Sequence, residues 1–346
     1  MNINFLLNNT LSIDIGIDIG TETTLIYIAG QGLVLKEPSY IAYDYCSENI
    51  AAVGTEAKEM LGKAPQCVKI IKPIANGVIS NRDMACKMIS RFISSICQKT
   101  ILKPRVIASV SMDSTQVEQR ALCDVLKDAG ARDVFLIEEP LAAAAGAGCD
   151  ISLARGMLIA DIGAGSCDVA SISLGSAVIG KSITTAGDSF TLEIIKYMKS
   201  SYNLEIGILT AEKIKNQIGC AYPFETIQSM SVYGSDITSG LPRSANVSSE
   251  EIREILTPLL YRISDIIKTT LEDTPPELQS DILEDGILLT GGGAKLHGID
   301  RWLRMEMGIK VFVTENMEEC VINGIGAELS KLDIPGSQTA KYYYSL

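Results

Sequence analysis

The chain has one histidine among its 346 residues, and its nine cysteines are scattered singly, with no Cys-x-x-Cys pair. This spacing argues against a zinc framework of paired cysteines and against a disulfide scaffold. We therefore expect buried thiols in a reducing compartment. His297, the single histidine, is interpreted as a solvent or core residue rather than a catalyst.

Long apolar runs and an excess of positive charge are absent as well. No apolar run reaches the roughly 18 residues of a membrane-spanning helix. No Lys or Arg precedes Lys36, so the basic start of a secretory signal peptide is missing and we expect a cytoplasmic protein. The formal net charge of −12 argues against nucleic acid as a partner. The length and the 47% hydrophobic content are typical of two globular domains.

The middle of the chain combines an apolar strand, a carboxylate and a turn of small residues in the segment LIADIGAGSCDV, residues 158–169. Such a turn lets backbone N–H groups converge on a phosphate. Asp161 is placed to hold a divalent cation, through water as Mg²⁺ prefers. For this segment alone, a buried strand followed by an ordinary turn is an equally good interpretation. The residues of the turn are Gly163, Ala164, Gly165 and Ser166.

The same pattern occurs near the N-terminus, in the segment GIDIGTETTLIY at residues 16–27. Asp18 takes the place of Asp161 there. A repeated hairpin in the two halves of a chain predicts duplicated domains. We expect the two hairpins to clamp one nucleotide tail and the two aspartates to share its metal. The residues of this first turn are Gly20, Thr21, Glu22 and Thr23.

Two further strand ends carry polar or glycine-rich sequence. A buried strand at residues 134–137 delivers Glu138 and Glu139 to its carboxyl end, where α/β sheets bind ligands. These carboxylates fit either a solvated turn or a group that orients or deprotonates a water. The strand at residues 287–289 leads into Thr290-Gly-Gly-Gly-Ala, whose backbone can lie flat against a planar ligand.

Helix signals are clearest at three places. Thr115 to Ala129 is predicted as a helix that ends at Gly130, and Ser248 with Glu251 forms the capping box of a long amphipathic helix. Residues 141–147 are predicted as an alanine-rich helix. Its small residues permit close packing, which we expect to be that of one domain on the other.

In this order, the motifs resemble those of the actin, chaperone and sugar-kinase ATPase superfamily. The resemblance lies in DIGT from Asp18, IEEP from Ile137, DIGxG from Asp161 and TGGGA from Thr290. Further stretches are similar to the MreB-type bacterial actins, the cell-shape filament proteins, from about Ile13 to Leu329. They are GLVLKEPS from Gly32, EAKEMLG from Glu56, LIEEPLAAA from Leu136, TPPEL from Thr274 and LTGGGA from Leu289.

The resemblance implies an α/β protein with the actin-like ATPase fold, in which two duplicated domains, each a sheet flanked by helices, surround a nucleotide cleft. We expect domain I at residues 12–148 and 315–332, and domain II at residues 149–314. An apolar N-terminal segment at residues 1–11 fits either a frayed terminus or a membrane-dipping segment. Residues 333–346 are expected to be a peripheral tail.

The resemblance also implies ATP and Mg²⁺ as ligands and gives a role to each motif. The Asp18 and Asp161 hairpins would hold the phosphates and the metal, and Glu139 would position the attacking water. Ser166 stands where the family usually has a helping threonine. The ribose and adenine would lie near residues 212–215, and the adenosine against residues 291–294. The remaining binding residues implied are Gly187, Asp188, Glu212, Lys213, Ile214, Lys215, Gly291, Gly292, Gly293 and Ala294.

Some residues depart from the family's usual sequence. The first turn reads TETT instead of TANT, and Glu22 would add negative charge near a polyphosphate unless it points away. The second turn reads GAGSCD instead of GGGTTE, which requires that Ala164 adopt a backbone angle that does not demand glycine. Ala186 replaces a glycine. We expect an unaffected fold and a slow ATPase in a divergent paralogue.

The implied function is an ATP-dependent filament that scaffolds wall synthesis and determines cell shape on the inner face of the cell membrane. The implied partners are other copies of the chain in paired, usually antiparallel strands, a sister paralogue, the membrane, and membrane morphogenetic and wall-synthesis proteins. Ile101 and Leu102 stand where relatives carry a membrane-inserting loop, although a pair tucked into the core is the alternative. The alternative functions are a hydrolysis-poor paralogue that co-polymerises with a sister protein, and a small-molecule kinase of the same fold.

Overall fold

The computed structural model describes residues 13–97 and 102–332, which form two compact units. Within this described part, unit 1 consists of residues 13–97, 102–153, 174–177 and 318–332. Unit 2 consists of residues 154–173 and 178–317.

The strands of unit 1 are β1 (Asp14–Ile19), β2 (Thr23–Ile28), β3 (Gly32–Pro38), β4 (Ile41–Asp44), β5 (Asn49–Val53), β6 (Val68–Ile71), β7 (Ile74–Ala75), β8 (Val78–Ile79), β9 (Arg105–Val110) and β10 (Asp133–Glu138). Its helices are α1 (Thr55–Glu59), α2 (Arg82–Ile96), α3 (Gln116–Asp128) and α4 (Glu139–Gly146), with the later α10 (Cys320–Leu329).

The strands of unit 2 and its sheet are β11 (Met157–Ile162), β12 (Cys167–Ser173), β13 (Ser176–Ile183), β14 (Leu204–Glu205), β15 (Ser229–Asp236), β16 (Pro242–Ser248), β17 (Ile287–Thr290) and β18 (Val311–Val313). Its helices are α5 (Gly187–Tyr202), α6 (Ile208–Ile218), α7 (Ser249–Asp273), α8 (Pro276–Asp285) and α9 (Ile299–Met307), with a 3₁₀ turn at Gly292–Lys295.

The two large sheets have the same topology. In unit 1 the strand order is β10-β9-β1-β2-β3, with β1 antiparallel to β2 and parallel to β9. In unit 2 the order is β13-β12-β11-β17-β18, with β11 antiparallel to β12 and parallel to β17. This repetition confirms the predicted α/β class and the duplication that the Asp-Ile-Gly hairpins suggested.

The sheets are buried by helices whose apolar faces match the sequence pattern. In unit 1, α2 packs Met88, Ile89 and Phe92 into a core that contains Ile15 and Ile17 of β1. Burial of such side chains is the main source of stability of a unit of this size.

The helix starts expected from local sequence are observed. Thr115 caps α3 and Ser248 caps α7, each with a complete capping box. In each box the cap hydroxyl accepts a hydrogen bond from the backbone N–H of the glutamate, Glu118 or Glu251. The glutamate carboxylate in turn accepts a hydrogen bond from the backbone N–H of the cap residue.

The packing of the alanine-rich helix α4 differs from the sequence prediction, in which it joined one domain to the other. It packs against α10, which belongs to the same unit. A Cβ on Gly146 would lie 1.8 Å from the Cys320 carbonyl oxygen, and a Cβ on Gly324 would lie 1.9 Å from the Ala142 carbonyl oxygen. The small residues therefore bring two backbones of unit 1 into contact.

Candidate functional site

In unit 1, a carboxylate and a hydroxyl meet where β1 and β9 end. The Ser109 Oγ donates a hydrogen bond of 2.8 Å to Asp18 Oδ1. Removal of the Asp18 carboxyl from water raises its pKa to about 6, although the Ser109 hydrogen bond acts in the opposite direction. A nearby cation would favour the charged form of this carboxyl.

The turn after β1 is fixed by backbone contacts. The Gly20 N–H donates to the Thr23 carbonyl at 3.1 Å, and the Ser39 hydroxyl donates to the Gly20 carbonyl at 2.7 Å. A Cβ on Gly20 would lie 2.8 Å from the Thr23 oxygen, so glycine is required by space. The buried Thr21 hydroxyl accepts the Gly77 N–H at 3.0 Å, which ties the turn to the β7–β8 hairpin.

Glu22 lies in the first turn, where the sequence raised the question of its negative charge. Two lysines of unit 1 neutralise this charge. Lys58 Nζ donates to Glu22 Oε1, and Lys72 Nζ lies 2.8 Å from Glu22 Oε2. The Tyr40 hydroxyl adds a hydrogen bond of 3.2 Å. Burial acts to raise the pKa of Glu22, but the two lysines outweigh it and the pKa is lowered. The carboxylate is therefore engaged with cations of the protein.

Glu139 lies at the start of α4, directly after β10, and lines a small cavity in unit 1. The cavity offers about 30 Å³ of space to water, which is enough for about two molecules. Ser109 and Ser111, at the end of β9, line the same cavity. A carboxylate beside a space for water can orient or deprotonate that water. The structure therefore places Glu139 at the wall of a cavity in unit 1.

Unit 2 repeats the strand-end pair. The Thr290 hydroxyl donates to Asp161 Oδ1 at 2.6 Å, and both residues are buried. Thr290 was predicted only as part of a glycine-rich motif, and no role was predicted for Ser109. The signal that identifies both is a hydroxyl at the carboxyl end of the strand parallel to the aspartate strand.

The second turn is anchored to the N-terminus of α5. The Gly163 N–H donates to the Ser166 carbonyl at 2.9 Å, as Gly20 does to Thr23 in unit 1. The Gly187 N–H donates to the Gly163 carbonyl at 3.2 Å, and the Asp188 N–H to the Ala164 carbonyl at 2.7 Å. The structure thus brings both predicted segments together in unit 2.

Alanine is accommodated in this turn without backbone strain. The described non-glycine residues with positive φ are Glu48, Asn76, Leu174 and Asn203, so Ala164 is not among them. The expected tolerance of Ala164 is confirmed. The neighbours Gly165 and Ser166 are buried, which holds the turn against the core.

Of the four α6 residues predicted at the nucleotide, Lys215 reaches the turn region. Its Nζ donates to the Gly187 carbonyl at 2.9 Å and to the Thr191 hydroxyl at 2.8 Å. Glu212 is partly buried and Lys213 is exposed. Ile214 is fully buried in the unit 2 core, so its side chain packs inside the protein.

Two of the three glycines after β17, Gly291 and Gly293, pack directly on β11. Gly291 has φ of +83°, and a Cβ there would lie 2.3 Å from the Ile162 carbonyl oxygen. A Cβ on Gly293 would lie 2.6 Å from Ile162 Cγ2 and 2.9 Å from the Gly163 oxygen. These glycines therefore allow the 3₁₀ turn that contains Gly292 and Ala294 to approach Gly163 of the second turn.

Other predicted features lie at the surface or beyond the described residues. Leu102 is 44% exposed, whereas Ile101, residues 1–11 and residues 333–346 lie outside the described part. Within that part, no helix has the length and apolarity to cross a membrane. The His297 ring stacks on the Phe224 ring, with 4.1 Å between the two ring centroids.

Sequence comparison finds one family model over nearly the whole chain. A model described as MreB/Mbl protein matches residues 12–336. The chain is 44% identical over 329 residues to the cell shape-determining protein MreB of Escherichia coli K12, covering 93% of this chain and 95% of that protein. It is 41% identical over 321 residues to the cell shape-determining protein Mbl of Bacillus subtilis 168, covering 92% and 96%.

Solved structures agree with this similarity. MreB5 of Spiroplasma citri bound to ADP has a TM-score of 0.86 at 38% identity and covers 90% of this chain and 94% of that chain. The same protein bound to AMPPNP matches equally well. A MamK double helical filament has a TM-score of 0.80 at 19% identity over 93% and 99%, which shows the actin-like fold alone.

Proposed function

Because the chain belongs to the MreB/Mbl family, we propose that it is an actin-like protein that binds ATP, polymerises and determines cell shape. The observation that carries the proposal is the repeated strand end. Asp18 and Asp161 each precede a backbone-fixed turn, and each accepts a hydrogen bond from a hydroxyl on the adjacent parallel strand. We assign unit 1 to the predicted domain I and unit 2 to domain II.

The strand ends fit a nucleotide with Mg²⁺. Carboxylate oxygens such as those of Asp18 and Asp161 are the donors that a hard cation prefers, often through water. Close backbone contacts require glycine at Gly20 and Gly291, which keeps side chains away from the turns beside them. When bound, Mg²⁺ would neutralise charge on the phosphates.

The protein's own groups would then act on the attacking water. Glu139 lies beside a space for water and would orient that water or accept its proton. Ser166, in the second turn, would assist at the phosphate, as the family's threonine is expected to do. Lys215 holds the carbonyl of Gly187 and so supports the N-terminus of α5 near this turn.

Membrane attachment is the part of the proposal that rests on the loop before β9. Leu102 is 44% exposed, which favours a surface position over the core. Burial of Leu102 and Ile101 in lipid would contribute about 1.5–3 kcal/mol each. One subunit would bind weakly, and a polymer with many copies would bind by avidity. On the inner membrane face, such filaments would meet membrane morphogenetic and wall-synthesis proteins.

The test combines pelleting, phosphate release and liposome co-sedimentation of the full-length protein with ATP and Mg²⁺. We expect sedimentable polymer and slow phosphate release. Glu139→Ala should lower release by about 100-fold while leaving polymer in place. Glu254→Ala, which removes an exposed carboxylate on α7, is the matched control and should behave as wild type. Leu102→Ser should reduce co-sedimentation with liposomes without loss of polymer.

The other outcomes discriminate between the remaining functions. Absence of polymer under all conditions would contradict the proposal. Polymer without phosphate release would indicate the hydrolysis-poor paralogue that co-polymerises with a sister protein. Release without polymer, stimulated by a small hydroxyl compound, would indicate a kinase, which neither the family nor the described residues favour.

A further inference from the structure

A separate group of metal-binding side chains lies in the small three-stranded sheet β5-β4-β6 of unit 1. Asp44 is the last residue of β4, Cys46 follows in the turn to β5, and Cys67 directly precedes β6. One oxygen of Asp44 and the two sulfur atoms all lie within 4.8 Å of one another. Convergence of three ligand-type atoms from two chain segments is the starting point of the inference.

Backbone pairing fixes this convergence. Asp44 is opposite Val68 in the antiparallel pair of β4 and β6, and the Tyr45 N–H donates to the Cys67 carbonyl at 3.0 Å. The two segments that carry the ligands are therefore held side by side by the sheet. Little backbone rearrangement is needed to bring all three ligand atoms onto one ion.

The Asp44 carboxylate is oriented by the turn that carries Cys46. Its Oδ1 accepts the Cys46 N–H at 2.8 Å, and its Oδ2 accepts the Ser47 hydroxyl at 2.8 Å. The Cys67 sulfur lies within 4.8 Å of the Cys46 sulfur and of a carboxylate oxygen of Asp44. Such outer contacts to a ligand set its direction and tune its affinity for a metal.

The chemistry of the three groups selects the type of ion. Thiolates suit zinc and other borderline or soft cations, whereas Mg²⁺ prefers an all-oxygen set. We propose that Asp44, Cys46 and Cys67 bind one zinc ion, with solvent water as the fourth ligand at the exposed Cys46 side. On binding, each thiol that ligates zinc releases its proton to solvent.

Zinc at this position would stabilise the outer sheet of unit 1. It would link the β4–β5 turn to the start of β6 and close the intervening chain into a loop. These residues belong to a different sheet from the aspartate strands, so zinc binding and nucleotide binding are separable in an experiment.

The first test uses Co²⁺ as a spectroscopic probe for zinc on the reduced, metal-free, full-length protein. We expect one equivalent of Co²⁺ to give a sulfur-to-cobalt charge-transfer band and the visible bands of a tetrahedral site, and Zn²⁺ to abolish both. Cys46→Ser, Cys67→Ser and Asp44→Asn should each weaken binding by about tenfold or more. Cys86→Ser, at a partly buried cysteine of α2, is the control and should bind as wild type.

A second test uses wild-type protein alone, so that it does not depend on the folding of variants. Zn²⁺ should slow the alkylation of Cys46 and Cys67 by iodoacetamide, measured by peptide mass spectrometry, and leave that of Cys86 unchanged. Equal alkylation with and without Zn²⁺ would overturn the proposal. Charge-transfer bands that persist in the Cys46→Ser/Cys67→Ser double variant would also overturn it, because they would place the sulfur ligands elsewhere.

Discussion

Thr290 stands directly opposite Asp161 in the parallel pair of β11 and β17, and its hydroxyl donates to the aspartate at 2.6 Å. Ser109 and Asp18 have the same relationship in unit 1, at 2.8 Å. A hydroxyl in this position fixes the direction of the carboxylate. The duplicated units therefore share the aspartate strand end together with the group that orients it.

We predict that Thr290→Val weakens the binding of Mg²⁺–ATP by about tenfold, the effect expected when a partner of a metal-binding carboxylate is lost. Valine keeps the shape of the side chain and removes the hydrogen bond to Asp161. Isothermal titration of the nucleotide-free protein measures the change. Thr270→Val removes another buried hydroxyl, one that bonds the Ile266 carbonyl, and should leave affinity unchanged. Wild-type affinity in the Thr290 variant would contradict the orienting role.

Glu22 makes the first turn depend on two lysines. We predict that Glu22→Ala lowers the free energy of unfolding by about 1–2 kcal/mol, because Lys58 and Lys72 lose a charged hydrogen-bond partner in a partly buried place. Urea denaturation near neutral pH measures this change.

A double-mutant cycle with Lys72→Ala controls for side-chain truncation. We expect the Glu22 and Lys72 variants to be non-additive by about 1 kcal/mol, because they share one ion pair. Additive effects would show that the contact contributes nothing to stability.

The sequence predicted the aspartate strand ends and the helix caps because their signals are local. Asp18 and Asp161 are each followed within a few residues by glycine and a second strand. The capping box of Ser248 and Glu251 spans four residues and was equally visible. Patterns of this kind need no knowledge of which strands are neighbours.

The sequence pattern did not predict contacts between segments that are distant along the chain. The lysines that neutralise Glu22 are 36 and 50 positions away, and only the fold brings them together. For the same reason, the sequence did not predict the close approach of Gly291 and Gly293 to β11, where an added Cβ would lie 2.3 Å and 2.6 Å from atoms of Ile162. The cysteine spacing argued against a zinc framework, because Cys46 and Cys67 of the proposed zinc site are separated along the chain and share no motif spacing.

The Glu251 carboxylate makes the stability of unit 2 dependent on pH. Burial acts to raise its pKa, but hydrogen bonds from Ser248, Tyr202 and Tyr197 outweigh this and lower the pKa from 4.5 to about 2. Because folding lowers this pKa, the carboxylate stabilises the fold fully at pH values above the unfolded pKa of 4.5. This stabilisation is lost as the pH falls toward about 2. Wild type should therefore lose stability across this window.

We predict that Glu251→Gln is less stable than wild type near neutral pH and that the difference shrinks as the pH falls through that window. Urea midpoints measured at several pH values test this. Glu254→Gln, at an exposed carboxylate of the same helix, should follow wild type at every pH. A constant difference between the Glu251 variant and wild type would show that its contribution comes from packing and not from its charge.

The contact between α4 and α10 leaves no room for a methyl group. We predict that Gly324→Ala destabilises unit 1 by about 3 kcal/mol, because the added Cβ would lie 1.9 Å from the Ala142 carbonyl oxygen and rigid backbone must move apart. Urea denaturation followed by circular dichroism measures the loss. Gly207→Ala is the matched control, since its φ of −80° suits alanine and nothing lies within 4 Å of the added atom. Equal stability of the two variants would mean that the helices separate at little cost and that the close approach contributes nothing to the fold.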